Sequence, residues 1–157
     1  MAEEVFLFPL SFAQQRVWFM EQLTPGTSLF NLSNALRLAG PLNIVALEQS
    51  LNEIVRRHET LRTTIRVADE QPVQVIAPTL HLPLRVLDLQ DLPPFEKEQE
   101  VLRYANYEAQ QPFDLSQGPL LRTTLLQMNT QEYVFLMTMH HIVSDGWSMG
   151  IFWQELS

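Results

Sequence analysis

The chain has no cysteine in its 157 residues. That removes disulfides, zinc–thiolate sites and a thiol nucleophile together. Lysine is nearly absent: Lys97 stands alone beside nine arginines, and ten basic residues face eighteen acidic ones, for a net charge of −8. With no basic cluster to offset that field, nucleic-acid binding is excluded. No uninterrupted apolar stretch approaches the ~20 residues that a bilayer-spanning helix needs. The N-terminal MAEEVFLFPL is acidic where a secretion signal is basic, and Pro9 breaks its apolar run. A cytoplasmic protein with no membrane association is therefore expected. Asn31-Leu32-Ser33 matches a glycosylation acceptor, which is read as chance without a secretion signal.

What is present is a globular composition, 46% hydrophobic and 18% charged, at a length suited to one domain. Ser11 precedes FAQQRVWFMEQL, whose Phe12, Val17, Phe19, Met20 and Leu23 suit an amphipathic helix capped by the serine hydroxyl. Thr24-Pro25-Gly26 stops it. Phe30, Leu32, Leu36 and Leu38 then share one parity, which predicts a strand with one buried face. Asn43 caps a second helix, with Ile44, Leu47, Leu51, Ile54 and Val55 as its buried stripe. Leu61 to Val67 and Gln71 to Ile76 read as a hairpin across Ala68-Asp69-Glu70, and Leu84 to Leu87 as a short edge strand. Pro93-Pro94 opens a polar helix that runs to about Gln111, where Pro112 ends it.

Two strands follow, Leu120 to Gln127 and Tyr133 to Met139. The second, YVFLMTM, is apolar on both faces, as in a central strand covered on both sides. It delivers the run HHIVSDG at its carboxyl end, and WSMGIFWQELS then reads as a helix. Strands and helices in this order imply a layered α/β sandwich.

Chemistry concentrates in HHIVSDG. Adjacent side chains at the end of a strand point to opposite faces, so His140 and His141 are poorly placed to grip one metal, and no metal site is expected. One imidazole is expected in the core and the other at a cavity, where it can act as a general base near neutrality. Gly146 allows a sharp reversal that leaves Asp145 in a tight turn. A buried Asp145 needs a cation, and Arg62 is the best candidate. A histidine at a strand end is most often a satisfied structural residue, and in isolation the run fits that reading slightly better. The Trp147, Phe152 and Trp153 cluster reads as helix packing, Arg56 and Arg57 as a solvated helix end. His58 is open to either reading, and nothing singles out His81.

Other segments tip the balance. MHHIVSDGWS resembles the signature of condensation domains of nonribosomal peptide synthetases. SFAQQRVWFM (11–20) resembles their first conserved block, RHETLRTTI (57–65) their second, and QPFDLSQGPLLRTTLL the segment before their active-site strand. Val17 and Ile65 depart from the residues the family often carries. The resemblance implies a chloramphenicol-acetyltransferase-like α/β fold of which residues 1–157 form the N-terminal lobe. The second lobe of the pseudodimer, which carries the later motifs, is absent from the chain.

The implied reaction is amide-bond formation. The α-amine of an aminoacyl group on a downstream peptidyl carrier protein attacks an acyl or peptidyl thioester on an upstream one. Both substrates ride on 4′-phosphopantetheine arms, and no cofactor is bound by this chain. By the same resemblance His141 is the catalytic histidine, His140 is mainly structural, and Asp145 is the aspartate that pairs with Arg62. The Gly146 N–H is a candidate oxyanion donor. The intact HHIVSDG argues against heterocyclising and degenerate relatives, the block wording favours an L-configured donor, and an epimerisation domain is the alternative. A lone lobe is expected to be inactive and prone to self-association through an exposed apolar face, or else to act as an assembly module.

Overall fold

Two sheets organise the chain in a computed structural model that describes residues 4–157. The elements run β1 (Phe6–Pro9), α1 (Phe12–Leu23), β2 (Asn31–Ala39), α2 (Ile44–Arg57), a 3₁₀ turn (Glu59–Arg62), β3 (Thr63–Ala68), β4 (Gln71–Ile76), β5 (Arg85–Asp88), α3 (Pro94–Gln110), β6 (Leu121–Asn129), β7 (Glu132–His140) and α4 (Gly146–Leu156). The smaller sheet has the order β1-β4-β3 and the larger β2-β7-β6-β5. Among the described residues only β5 and β6 pair in parallel; the other pairs are antiparallel. No helix among the described residues is long and apolar enough to cross a membrane.

The central strand is β7. Tyr133, Phe135, Met137 and Met139 face a core built with Leu51, Ile54 and Val55 of α2 and Phe152 of α4. Val134 and Leu136 face a second cluster with Met128 of β6 and Val101 of α3. Both faces of β7 are thus covered, as its apolar composition predicts. Neighbouring β2 runs antiparallel to it, with Asn31 opposite His140. As an edge strand β2 stays half open: Leu32 and Leu38 reach the core while Leu36 is exposed.

The hairpin β3–β4 turns at Asp69 and Glu70, both at positive φ (50° and 64°), as two-residue hairpin turns require. Asn43 caps α2 by accepting the Ala46 N–H at 3.0 Å. The short β5 is an edge strand as expected.

The run FLFP is a strand, β1, which pairs with β4; as an edge strand it tolerates Pro9 at its end. One expectation needs correction: the apolar stripe expected to be buried on α1 is, except for Val17, turned outward. Phe12, Phe19, Met20 and Leu23 are exposed, Phe12 at 85%. The inward face carries Gln14, Val17, Trp18 and Glu21 at i, i+3, i+4 and i+7, with Glu21 buried and Val17 and Trp18 packed on the core. The exposed stripe adjoins Leu7 and Phe8 of β1, which share a groove with Trp18 and Phe19.

Candidate active site

The ladder of β7 carries the two histidines into the site. The His140 N–H donates to Leu120 O at 3.0 Å and the His141 N–H to Phe30 O at 2.8 Å. The chain then turns, with Val143 N–H bonded to His140 O, and enters α4 through Asp145. Alternation at the strand end sends the two imidazoles to different environments, as expected.

His140 is 1% exposed. Its Nδ1 accepts the Ile142 N–H at 3.0 Å, so in the neutral ring the proton sits on Nε2, which donates to Glu21 Oε1 at 2.7 Å. Phe30 and Phe113 pack around the ring, with centroids 6.2 and 6.0 Å away. Burial pushes the His140 imidazole below the usual histidine range, and the Glu21 carboxylate offsets this only in part. Both ring nitrogens of His140 are thus engaged within the fold.

His141 is exposed. Its Nδ1 lies 2.8 Å from Ser144 O. A carbonyl can only accept, so Nδ1 is the protonated nitrogen and Nε2 of the neutral ring holds the lone pair. The residue lines an open groove of about 430 Å³ with Gln14, Val17, Gln74, Ser144, Asp145 and Ser148. A smaller cavity of about 100 Å³ shares Thr60, Val143, Ser144 and Ser148 with it and is otherwise walled mainly by Ile54, Leu61, Met139, Ile151 and Phe152. At its rim His58 Nε2 lies 2.9 Å from Glu155. The arrangement offers a base with a fixed tautomer beside polar and apolar walls.

The expected Asp145–Arg62 ion pair is not formed. Asp145 is exposed and caps α4, its Oδ1 accepting the Ser148 N–H at 2.8 Å and the Ser148 hydroxyl at 2.9 Å. Those donors hold its carboxyl below the usual range. Arg62 instead spends its donors on main-chain carbonyls: Val55 at 3.2 Å, Arg56 at 3.4 Å, Pro78 at 3.3 Å and Ala77. The premise of a buried aspartate fails, and with it the need for a buried cation. Gly146 also differs from expectation. It opens α4 at a φ open to any residue, and a Cβ there would meet nothing within 4 Å. Its N–H remains one of the donors that a first helical turn leaves without an intrahelical partner.

Two residues of the site escaped the sequence reading, Glu21 and Gln14. Gln14 Oε1 closes the capping box of α1 by accepting the Ser11 N–H at 2.9 Å. Its Nε2 reaches Ile142 O at 3.2 Å and Gln74 Oε1 at 3.1 Å. Their common spacing with Val17 and Trp18 was the available signal: polar side chains repeating on one face with two large apolar ones. Trp153 packs edge-on against Phe135 and Phe152, as the packing reading expects, while Trp147 is 81% exposed. Among the described residues no group of three or more histidines and carboxylates converges as a metal site would.

Comparison with known proteins adds the family. A family model described as "Condensation domain" matches residues 7–157. The chain is 53% identical over 148 residues to a linear gramicidin synthase of Brevibacillus parabrevis, covering 94% of this chain and 3% of that protein. It is 42% identical over 149 residues to phosphinothricin tripeptide synthetase PhsC of Streptomyces viridochromogenes, covering 95% of this chain and 14% of that one. Among solved structures, the starter condensation domain of rhizomide synthetase RzmA superposes with a TM-score of 0.87 at 26% identity, over 96% of this chain and 36% of that one. The first condensation domain of the calcium-dependent antibiotic synthetase gives 0.86 at 27% identity, over 96% and 36%. The chain thus spans about a third of those solved chains and a small fraction of the synthetases.

Proposed function

The chain belongs to the condensation-domain family of nonribosomal peptide synthetases, with the chloramphenicol-acetyltransferase-like α/β fold of that family, and on that premise we propose that it supplies half of an amide-bond-forming site in which His141 meets the attacking amine. The observation that carries this reading is the bond from His141 Nδ1 to Ser144 O, which leaves Nε2 as the basic nitrogen of an exposed ring at a groove.

In the proposed step the amine nitrogen attacks the carbonyl carbon of a carrier-bound thioester. The tetrahedral intermediate then collapses to the amide and expels the phosphopantetheine thiolate. His141 Nε2 orients the amine and takes the proton that nitrogen loses, which can pass on to the departing sulfur. An α-amine has a pKa of roughly 8, so only modest help is needed to deprotonate it, and orientation carries much of the effect. The Gly146 N–H is assigned to the developing oxyanion. Asp145 holds the start of α4, and through it the glycine.

Residues 1–157 are read as the N-terminal of two lobes, with the groove at His141 roofed by the other. Carrier proteins upstream and downstream present the substrates, and the donor is L-configured. The exposed apolar residues of β1 and α1 support a covering surface over those two elements.

The test is His141→Ala in the full-length parent, with loaded carrier proteins and amide product measured by mass. The rate is expected to drop about 10²- to 10⁴-fold, the range of a lost general base. Wild-type turnover would remove His141 from the chemistry, turnover by the lone lobe would remove the need for a second, and exchange of the α-hydrogen without amide formation would favour the epimerising reading.

A further inference from the structure

His141 is only as well placed as the turn that carries it, and that turn is held by α1. The main chain of Ile142, the residue after His141, is gripped at both of its polar atoms by side chains. Its N–H donates to His140 Nδ1 at 3.0 Å, and its C=O accepts from Gln14 Nε2 at 3.2 Å. The first of these grips depends on Glu21. The imidazole can accept from Ile142 through Nδ1 only while its proton stays on Nε2, and Glu21 Oε1, 2.7 Å away, keeps it there. Gln14 and Glu21 lie two turns apart on the inward face of one helix. The capping box fixes Gln14, whose Oε1 is committed to the Ser11 N–H. Phe30 and Phe113 confine the His140 ring.

We propose that Gln14 and Glu21 are positioning residues for His141, acting as a two-point clamp on Ile142 that sets the turn and with it the Nδ1–H tautomer of His141. Both ends of the His141–Ser144 bond lie in the turn that the clamp holds. Loosening either point frees the Ser144 carbonyl to drift from Nδ1. The imidazole then populates its Nε2–H form, which presents a donor where the reaction needs an acceptor. The proposal rests on the assignment of His141 as the group that meets the amine, but its first readout does not.

That readout is the tautomer. In chain labelled with ¹⁵N-histidine, long-range ¹H–¹⁵N spectra are expected to show Nε2–H for His140 and Nδ1–H for His141. Glu21→Leu, close in volume and without an acceptor, should convert His141 to a mixture of tautomers while the amide spectrum stays folded. Gln14→Leu, at the groove rim, should do the same through the other point of the clamp. Glu21→Gln, which retains an acceptor for Nε2–H, should restore the Nδ1–H form. In the full-length parent, Glu21→Leu and Gln14→Leu should lower kcat about 10- to 100-fold, the range of sub-ångström to ångström misplacement. KM should stay within about twofold, the pattern expected for loss of a transition-state interaction alone.

A folded Glu21→Leu or Gln14→Leu chain with an unchanged His141 tautomer would overturn the proposal, and so would unchanged kcat beside a shifted tautomer where His141→Ala itself is impaired. If Glu21→Leu does not fold, Gln14→Leu decides. A shifted tautomer together with wild-type condensation by His141→Ala would instead remove the catalytic reading and leave the clamp standing.

Discussion

Replacing Arg62 by alanine removes a guanidinium whose four bonds all end on main-chain oxygens. Two of them, to Val55 and Ala77, are partly buried, and those to Arg56 and Pro78 are exposed. The exposed pair competes with water and is given no weight. A hydrogen bond to a charged group contributes ~1.5–3 kcal/mol when sheltered, and partial exposure brings each of the other two to about 1 kcal/mol. Val55 lies in the last turn of α2, where carbonyls lack helical partners and the dipole favours a cation. The sum is about 2–3 kcal/mol, which at a urea m-value of ~2 kcal/mol/M lowers the unfolding midpoint by about 1 M.

The discriminating companions are Asp145→Asn and the double variant Arg62→Ala/Asp145→Ala, with all proteins unfolded in urea and followed by far-UV circular dichroism. Asparagine caps a helix about as well as aspartate, so Asp145→Asn should leave stability near that of the parent. The double variant should be less stable than Arg62→Ala alone, because a lost cap and a lost carbonyl clamp are separate injuries. A double variant no less stable than Arg62→Ala would refute the reasoning, since an aspartate already stripped of its cation has nothing more to lose. A large loss in Asp145→Asn would say the same.

Because burial depresses the His140 pKa in the folded state, its contribution is fully present above the unfolded histidine pKa of ~6.5 and is lost as pH falls below it toward the folded value. Stability from urea titrations should therefore decline on acidification from about pH 6.5, with part of that slope gone in His140→Phe; an unaltered slope would mean that His140 is not the titrating group. The exposed apolar stripe of α1 predicts self-association of the lone chain. Phe12→Ser with Phe19→Ser should shift concentration-dependent sedimentation toward the monomer, and an unshifted profile would place the sticky surface elsewhere.

The sequence made β7 easy to read because seven apolar or weakly polar residues in succession fit no half-exposed strand. The alternation that separates His140 from His141 followed from geometry alone. In α1 the spacing of Phe12, Phe19 and Leu23 did define a stripe, but periodicity says nothing about which stripe meets the protein's own core. The inward face was the one with Gln14 and Glu21, whose polarity made it look like the solvent side. Arg62 and Asp145 were matched on charge, whereas the partners each found were a set of carbonyls and a serine. Main-chain acceptors are present at every position and leave no mark in a sequence. Glu21 was hidden for a related reason, since its partner His140 lies 119 residues away.

That separation shapes how the molecule comes into being. Strand β2 emerges well before β7, yet among the described residues β7 is the only strand it pairs with, Asn31 opposite His140. At ribosomal rates of ~5–20 residues per second, β2 waits about 5–20 s for that neighbour, with an open hydrogen-bonding edge in the meantime. Contacts of such long range are also the slow ones to form. The setting of His141 is thus among the last features to be completed, and a nascent chain that stalls before β7 lacks the strand that carries both histidines into place.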